Sequence, residues 1–141
     1  MPRQVTTLTL SDARRLIQAG EKKAAELKIP YNIAVVDSGG DLISHVRMDG
    51  AWLGSIDISI NKAFTARAFD MSTDDLSKAS QSGESLFGIN TTNDDRIVIF
   101  GGGMPVKVDG AVIGAVGASG GSVENDIKVV QAAVAAFSKE T

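Results

Sequence analysis

The run Val106-Lys-Val-Asp-Gly-Ala-Val-Ile-Gly114 sets alternating apolar residues on either side of Asp109-Gly110. Asp-Gly is one of the few dipeptides that accept positive φ at both central positions of a tight β-turn, so this run is predicted to be a hairpin. A hairpin forces antiparallel pairing. A second one is predicted upstream, where Ile33–Asp37 and Asp41–Arg47 flank the turn Ser38-Gly39-Gly40. Arg96–Phe100 is a further short β-rich run, and three strands in this second half bring the expected number to five.

Helical spacing accounts for most of the rest. Ala13, Leu16, Ile17, Gly20, Ala24 and Leu27 form one stripe, with Thr9 and Asp12 as a capping-box variant before it and Pro30 after it. From Leu53 to Phe69, Ile56, Ile60, Ala63, Phe64 and Arg67 lie on one side and the small or polar Ser55, Ser59, Lys62 and Ala66 on another. A short helix is expected over Thr73–Ala79, begun by Ser72 or Thr73, then surface connection through Gly83, Gly88 and Asn90–Asp95. Val123, Ile127, Val130, Val134 and Phe137 make a last helix with Ser122 as its N-cap. The order α-β-β-α-(short α)-β-β-β-α has few strand-helix-strand crossovers. It predicts an α/β protein of the α+β kind, a central antiparallel five-stranded sheet flanked by helices, folded as a single domain over residues 1–141.

Composition removes whole classes of chemistry. With no cysteine there is no disulfide, thiolate metal site or cysteine nucleophile, and one histidine rules out a multi-histidine metal site within the chain, so no metal site is expected. The net charge of −3 with scattered cations, and 5 % aromatic residues, give neither a phosphate-binding stripe nor a base-stacking platform. Nucleic acid is therefore not an expected partner. No apolar run is long enough to span a membrane, and the first residues lack the apolar core of a signal peptide, so a cytoplasmic protein is expected.

Eight of the fifteen glycines fall between Arg96 and Asp126. Their spacing matches neither the dinucleotide fingerprint nor a P-loop. Two readings remain. Gly114 and Gly117 allow close packing on a strand, Gly120 and Gly121 supply a positive-φ turn, and Gly101–Gly103 form a bulge or turn. Alternatively Gly101, Gly102 and Gly103 face a ligand, and the backbone amides from Ser119 through Gly120, Gly121 and Ser122 to Glu124 meet an anionic group at the start of the last helix.

Among polar residues, His45 shares a strand face with Ile43 and Arg47 and is either an ordinary strand histidine or a ligand for haem iron. Arg47 carries a donor fork suited to a carboxylate, or else pairs internally with Asp49 or Asp57. Lys62 is a buried cation facing a pocket or a snorkelling side chain. Asp94-Asp95 is a carboxylate pair in a loop, read as solvated turn residues with metal binding as the alternative, and Met48, Met71 and Met104 either fill the core or approach a macrocycle.

Three blocks, VVDSGGDLISHVRMDGA, SIDISINKAFTARAF and GINTTNDDRIVIFGGGMPVKVDGAVIGAVGASGGSVEND, together resemble the GlcG/HbpS family of haem-binding or haem-degrading domains. The family also includes the C-terminal domain of PduO-type proteins and small proteins of diol and glycerol utilisation operons. R-M-D-G, K-A-x-T-A, G-G-G-x-P and G-x-x-G-x-S-G-G occur in the family's order, and the likeness covers nearly the whole chain. It implies a profilin- or PAS-like antiparallel sheet, assembly into dimers and often octamers, and haem or iron binding in some members. It marks Arg47, Met48 and Asp49, Lys62 and Thr65, Gly101–Gly103 and Ser119–Gly121 as the matching positions.

The expected function is an oligomeric haem- or tetrapyrrole-binding domain, with His45 as the candidate iron ligand and Arg47, Lys62 or the Ser119–Glu124 amides at the propionates. The alternative is an enzyme or accessory protein for a small hydroxy or oxo acid in diol, glycerol or glycolate metabolism, with Lys62 and Arg47 around the anion.

Overall fold

The computed structural model describes residues 1–140; Thr141, the last residue of the expected domain, lies outside the described residues. Helix α1 spans Leu10–Leu27, and its start is the capping box expected from Thr9 and Asp12. The Thr9 hydroxyl accepts from the Asp12 amide at 3.1 Å and the Asp12 carboxylate accepts from the Thr9 amide at 2.8 Å. Strands β1 (Asn32–Asp37) and β2 (Leu42–Arg47) form the first hairpin, whose turn closes through Gly40 at φ +80. Helices α2 (Gly54–Phe69) and α3 (Thr73–Ala79) follow, then a 3-10 turn over Ile89–Thr91. Strands β3 (Gly103–Val108) and β4 (Ala111–Ser119) form the second hairpin on Asp109 and Gly110, both at positive φ, and α4 runs over Val123–Glu140.

The sheet has four strands, not five, in the antiparallel order β2-β1-β4-β3. Arg96–Phe100 is the segment that does not join it. Its composition suits a strand, but its backbone is held by a side chain of α2. Thr65 Oγ1 accepts from the Val98 amide at 3.0 Å and donates to the Arg96 carbonyl at 3.4 Å, while Ile97 is buried. The segment thus covers α2 where a fifth strand was expected. A bulge between Val35 and Val36 changes a second expectation, because Ile43 drops out of the β1–β2 register and packs into the α1/α4 core, while His45 and Arg47 pair with Ala34 and Asn32.

Each face of the sheet buries a different kind of core. On one side α1 and α4 cover Ile33, Val35, Val106 and Val116 with Leu16, Ile17, Val129 and Phe137. On the other, α2 lies on a floor of small residues, Ala34, Val36 and Ala115, through Ala63 and Ala66. The side of α2 that faces the sheet is the small and polar one, with Ser55, Ser59, Lys62, Thr65 and Ala66 buried and Ile56, Ile60 and Phe64 only half-buried. Gly117 explains this inversion. A Cβ there would collide with the Ser59 carbonyl and stand 2.6 Å from the Ala63 amide, so helix and strand backbones touch and leave no room for large side chains. No helix among the described residues is long and apolar enough to cross a membrane.

Candidate functional site

Lys62 is the centre of the polar arrangement. The closely docked helix carries its side chain through the layer between α2 and β4, where it is entirely buried. Its Nζ donates to Asp126 Oδ2 at 2.7 Å and to the Ala118 carbonyl at 2.9 Å, and the Phe100 ring centroid lies 5.0 Å away. Asp126, only 4 % exposed at its side chain, also accepts from the Gly121 amide at 3.2 Å. Burial pulls the Lys62 pKa below its ordinary value, and the Asp126 charge works against that pull. The snorkelling alternative does not hold, since the ammonium is sealed inside and paired.

The glycines are the walls of this chamber. Gly102 has φ +122, and a Cβ on it would fall 2.5 Å from Lys62 Nζ; a Cβ on Gly103 would strike the Lys62 carbonyl. Gly101 is closed in by Ile127 and Val123 in the same way. Gly120 and Gly121 are not at positive φ, contrary to the turn expected there. They make room instead, with the Pro30 carbonyl 2.7 Å from the Cβ position of Gly120 and the Tyr31 hydroxyl 3.2 Å from that of Gly121. Ser119 is buried and donates to Ser55 Oγ at 2.9 Å.

At the start of α4, read as an anion site, the chain itself takes the Gly121 and Asn125 amides. Ser122 Oγ caps the Asn125 amide at 3.1 Å and Asp126 takes the Gly121 amide, while Glu124 points outward and pairs with Lys128 at 3.8 Å. Sequence reasoning missed Asp126 and Tyr31. The signal for Asp126 was present: it stands on the buried stripe of α4 with Val129, Val130, Ala133 and Phe137, where an unpaired carboxylate would be untenable, and Lys62 is the matching lone cation on the buried face of α2.

His45 and Arg47 form a second group on the edge strand β2. The Asn32 side chain donates through Nδ2 to the Trp52 carbonyl at 3.0 Å, which turns its Oδ1 towards His45 Nε2, also at 3.0 Å. That oxygen can only accept, so Nε2 carries the hydrogen and Nδ1 holds the free lone pair. Arg47 Nε donates to the Ala51 carbonyl at 3.1 Å; neither Asp49, which is exposed, nor Asp57 forms an ion pair with it. Both residues therefore brace the segment Ala51–Leu53, where Trp52 and Leu53 are 63 % and 71 % exposed. Arg47 and Lys62 do not converge on one pocket. Met48 Sδ accepts from the Tyr31 amide at 3.3 Å and is structural, and Asp94 and Asp95 are exposed loop residues.

Burial lowers the pKa of His45 from 6.5. The unfolded chain then binds the proton more tightly, so stability is highest above that value and falls as the pH drops through it towards the folded-state pKa. Tm should decrease between about pH 7.5 and about pH 5.5, and His45→Gln should reduce that decrease, the carboxylates contributing equally in both proteins. Equal decreases in the two would remove His45 as the source.

Comparison with known proteins places this geometry in a family. A protein of 15.0 kDa from the dhaT-dhaS intergenic region of Citrobacter freundii is 48 % identical over 136 residues, 96 % of each chain. The crystal structure of Klebsiella pneumoniae ORFY superposes with a TM-score of 0.95 at 46 % identity, covering 97 % of this chain and 94 % of that one. A crystal structure of a PduOC–haem complex superposes at 0.89 with 37 % identity, covering 94 % and 95 %. Residues 8–135 match the model of the haem degrading protein HbpS-like family, and the chain belongs to that family.

Proposed function

We propose that this chain is a haem- or tetrapyrrole-binding domain that works as a homo-oligomer, with the ring held on the surface beside β2. The observation that carries this reading is the cluster of exposed Trp52 and Leu53 next to Arg47 and His45. A flat amphipathic anion needs an apolar face, a cationic rim and, for iron, a nitrogen lone pair. Trp52 and Leu53 supply the first, the Arg47 guanidinium the second and His45 Nδ1 the third. Bound haem would supply a redox-active iron. The PduOC–haem complex at 37 % identity supports the same ligand class.

The working unit is a dimer, and in its larger form an octamer. Leu86, Phe87 and Phe100 are 37 %, 70 % and 40 % exposed, which supports a surface covered by other copies. Haemin added to the purified protein should give a saturable Soret band. Trp52→Ala and Arg47→Ala should each weaken binding by about tenfold, and His45→Ala should shift the band. A band that never saturates, or one indifferent to all three substitutions, would overturn this assignment.

A further inference from the structure

The surface beside β2 leaves the chamber around Lys62 without a role, although it contains a primary amine, a carboxylate and a phenol. Lys62 Nζ is 2.7 Å from Asp126 Oδ2, close enough for a proton to pass between them. The Tyr31 hydroxyl is fully buried, and the group that faces it is the Asp126 carboxylate. Burial raises the Tyr31 pKa, and Asp126 raises it further by hydrogen bond and by charge.

A route to the amine is built into the glycine wall. A cavity of about 210 Å³ lies between α3, β3 and α4, lined by Ser72, Asp75, Met104, Ile127 and Gln131 together with Gly102 and Gly103. Gly102 thus borders the cavity and also lies against Lys62 Nζ. No side chain stands at that point, and the bonds that must open for the segment to move are those of the Ala118 amide to the Gly102 carbonyl at 2.8 Å and of the Gly103 amide to Thr73 Oγ1 at 2.9 Å. The cavity has an apolar floor and a rim of hydroxyl, amide and carboxylate groups. Asp74 on the rim is paired with Lys78 at 3.4 Å, and Asp75 has no cation beside it. Such a rim repels keto acids and suits a neutral molecule with a hydroxyl group.

We propose that Lys62 forms an imine with a small neutral hydroxyaldehyde or hydroxyketone that enters through this cavity as Gly101–Gly103 moves aside. The ammonium gives one proton to the Asp126 carboxylate, and the freed Nζ lone pair bonds to the carbonyl carbon while the C=O π pair moves to oxygen. That oxygen takes the proton back from Asp126, with the Tyr31 hydroxyl donating a hydrogen bond to it. A second proton passes from nitrogen through Asp126 to the hydroxyl group, which leaves as water. The product is a protonated imine beside an ionised Asp126, and no oxidant or reductant is consumed. The reduced pKa of Lys62 favours release of the first proton. This site is separate from the surface proposed for haem and stands or falls independently of it.

The test is reductive trapping on haem-free protein with glycolaldehyde and cyanoborohydride, read by peptide mass mapping over time. Lys62 should be modified about tenfold faster than the exposed Lys78 and Lys128, against the order their exposure alone would give. Gln131→Trp, a change on the exposed face of α4 that fills the cavity mouth, should abolish modification of Lys62 and leave Lys78 unaffected. Slower modification of Lys62 than of Lys78 in the folded protein, or a Lys62 rate unchanged in Gln131→Trp, would overturn the proposal. Both proteins are first checked for the same thermal transition.

Discussion

Gly117→Ala is expected to cost at least about 3 kcal/mol, the upper end of what overpacking does, and Gly117→Val to prevent folding. The usual effect of adding a methyl group to glycine has the opposite sign, because the unfolded chain loses freedom. Here the contacts decide the outcome. The added carbon would meet the Ser59 carbonyl and the Ala63 amide, both backbone atoms of α2, and neither can rotate away. The whole helix would have to lift from β4, taking Lys62 off Asp126 and Thr65 off Val98. Against a total stability of about 5–15 kcal/mol, that is a large fraction of what the domain has. Gly54→Ala is the control, because its Cβ position is empty within 4 Å and its φ is not positive. It should stabilise by about 0.5–1 kcal/mol. Urea midpoints of the two alanine variants measure both effects, and equal small shifts would mean that α2 is not docked as closely as described.

Breaking the Lys62–Asp126 pair from either side should be nearly as damaging. Lys62→Met leaves a buried carboxylate without its cation, held by the Gly121 amide, and Asp126→Leu leaves a buried ammonium without its anion, held by the Ala118 carbonyl. Each single change is expected to cost about 3–5 kcal/mol, since an unpaired charge must stay in a low-dielectric interior or shed its proton. The double substitution Lys62→Met/Asp126→Leu should cost markedly less than the sum, because no charge remains to be compensated. A double-mutant cycle from denaturant melts reads this directly. Additive losses would show that the two groups do not act as a pair.

Local chemistry was readable in the sequence wherever a few neighbouring residues decide the outcome. The capping box at Thr9 and Asp12, the turns at Gly40 and Asp109-Gly110, and the Ser122 cap all act within four residues, and all stand in the structure. The failures are long-range. Ile97, Val98 and Ile99 have strand propensity, yet a hydroxyl more than thirty residues away captures the Val98 amide and holds the segment on α2. Gly120 and Gly121 looked like turn residues by composition, whereas Tyr31 and Pro30 set their role by crowding against them.

The candidate site was legible in part for the same reason. Lys62 stood out as the one cation on a face of small residues, and Gly102 and Gly103 stand against it, while Gly121 reaches it only through Asp126. Asp126 stayed hidden because its partner lies 64 residues earlier and on another helix. The Nε2–H tautomer of His45 depends on Asn32 and on the Trp52 carbonyl, a relation no spacing rule contains.

Haem binding at the Trp52–Arg47 surface of an oligomer is tested by haemin titration with absorbance and light scattering recorded on the same eluting species. A Soret band should saturate at a fixed ratio of haem to chain, on an assembly larger than one chain, with binding weakened about tenfold in Trp52→Ala. Haem that coelutes at no fixed ratio, or that binds Trp52→Ala as tightly as the parent protein, would contradict this assignment.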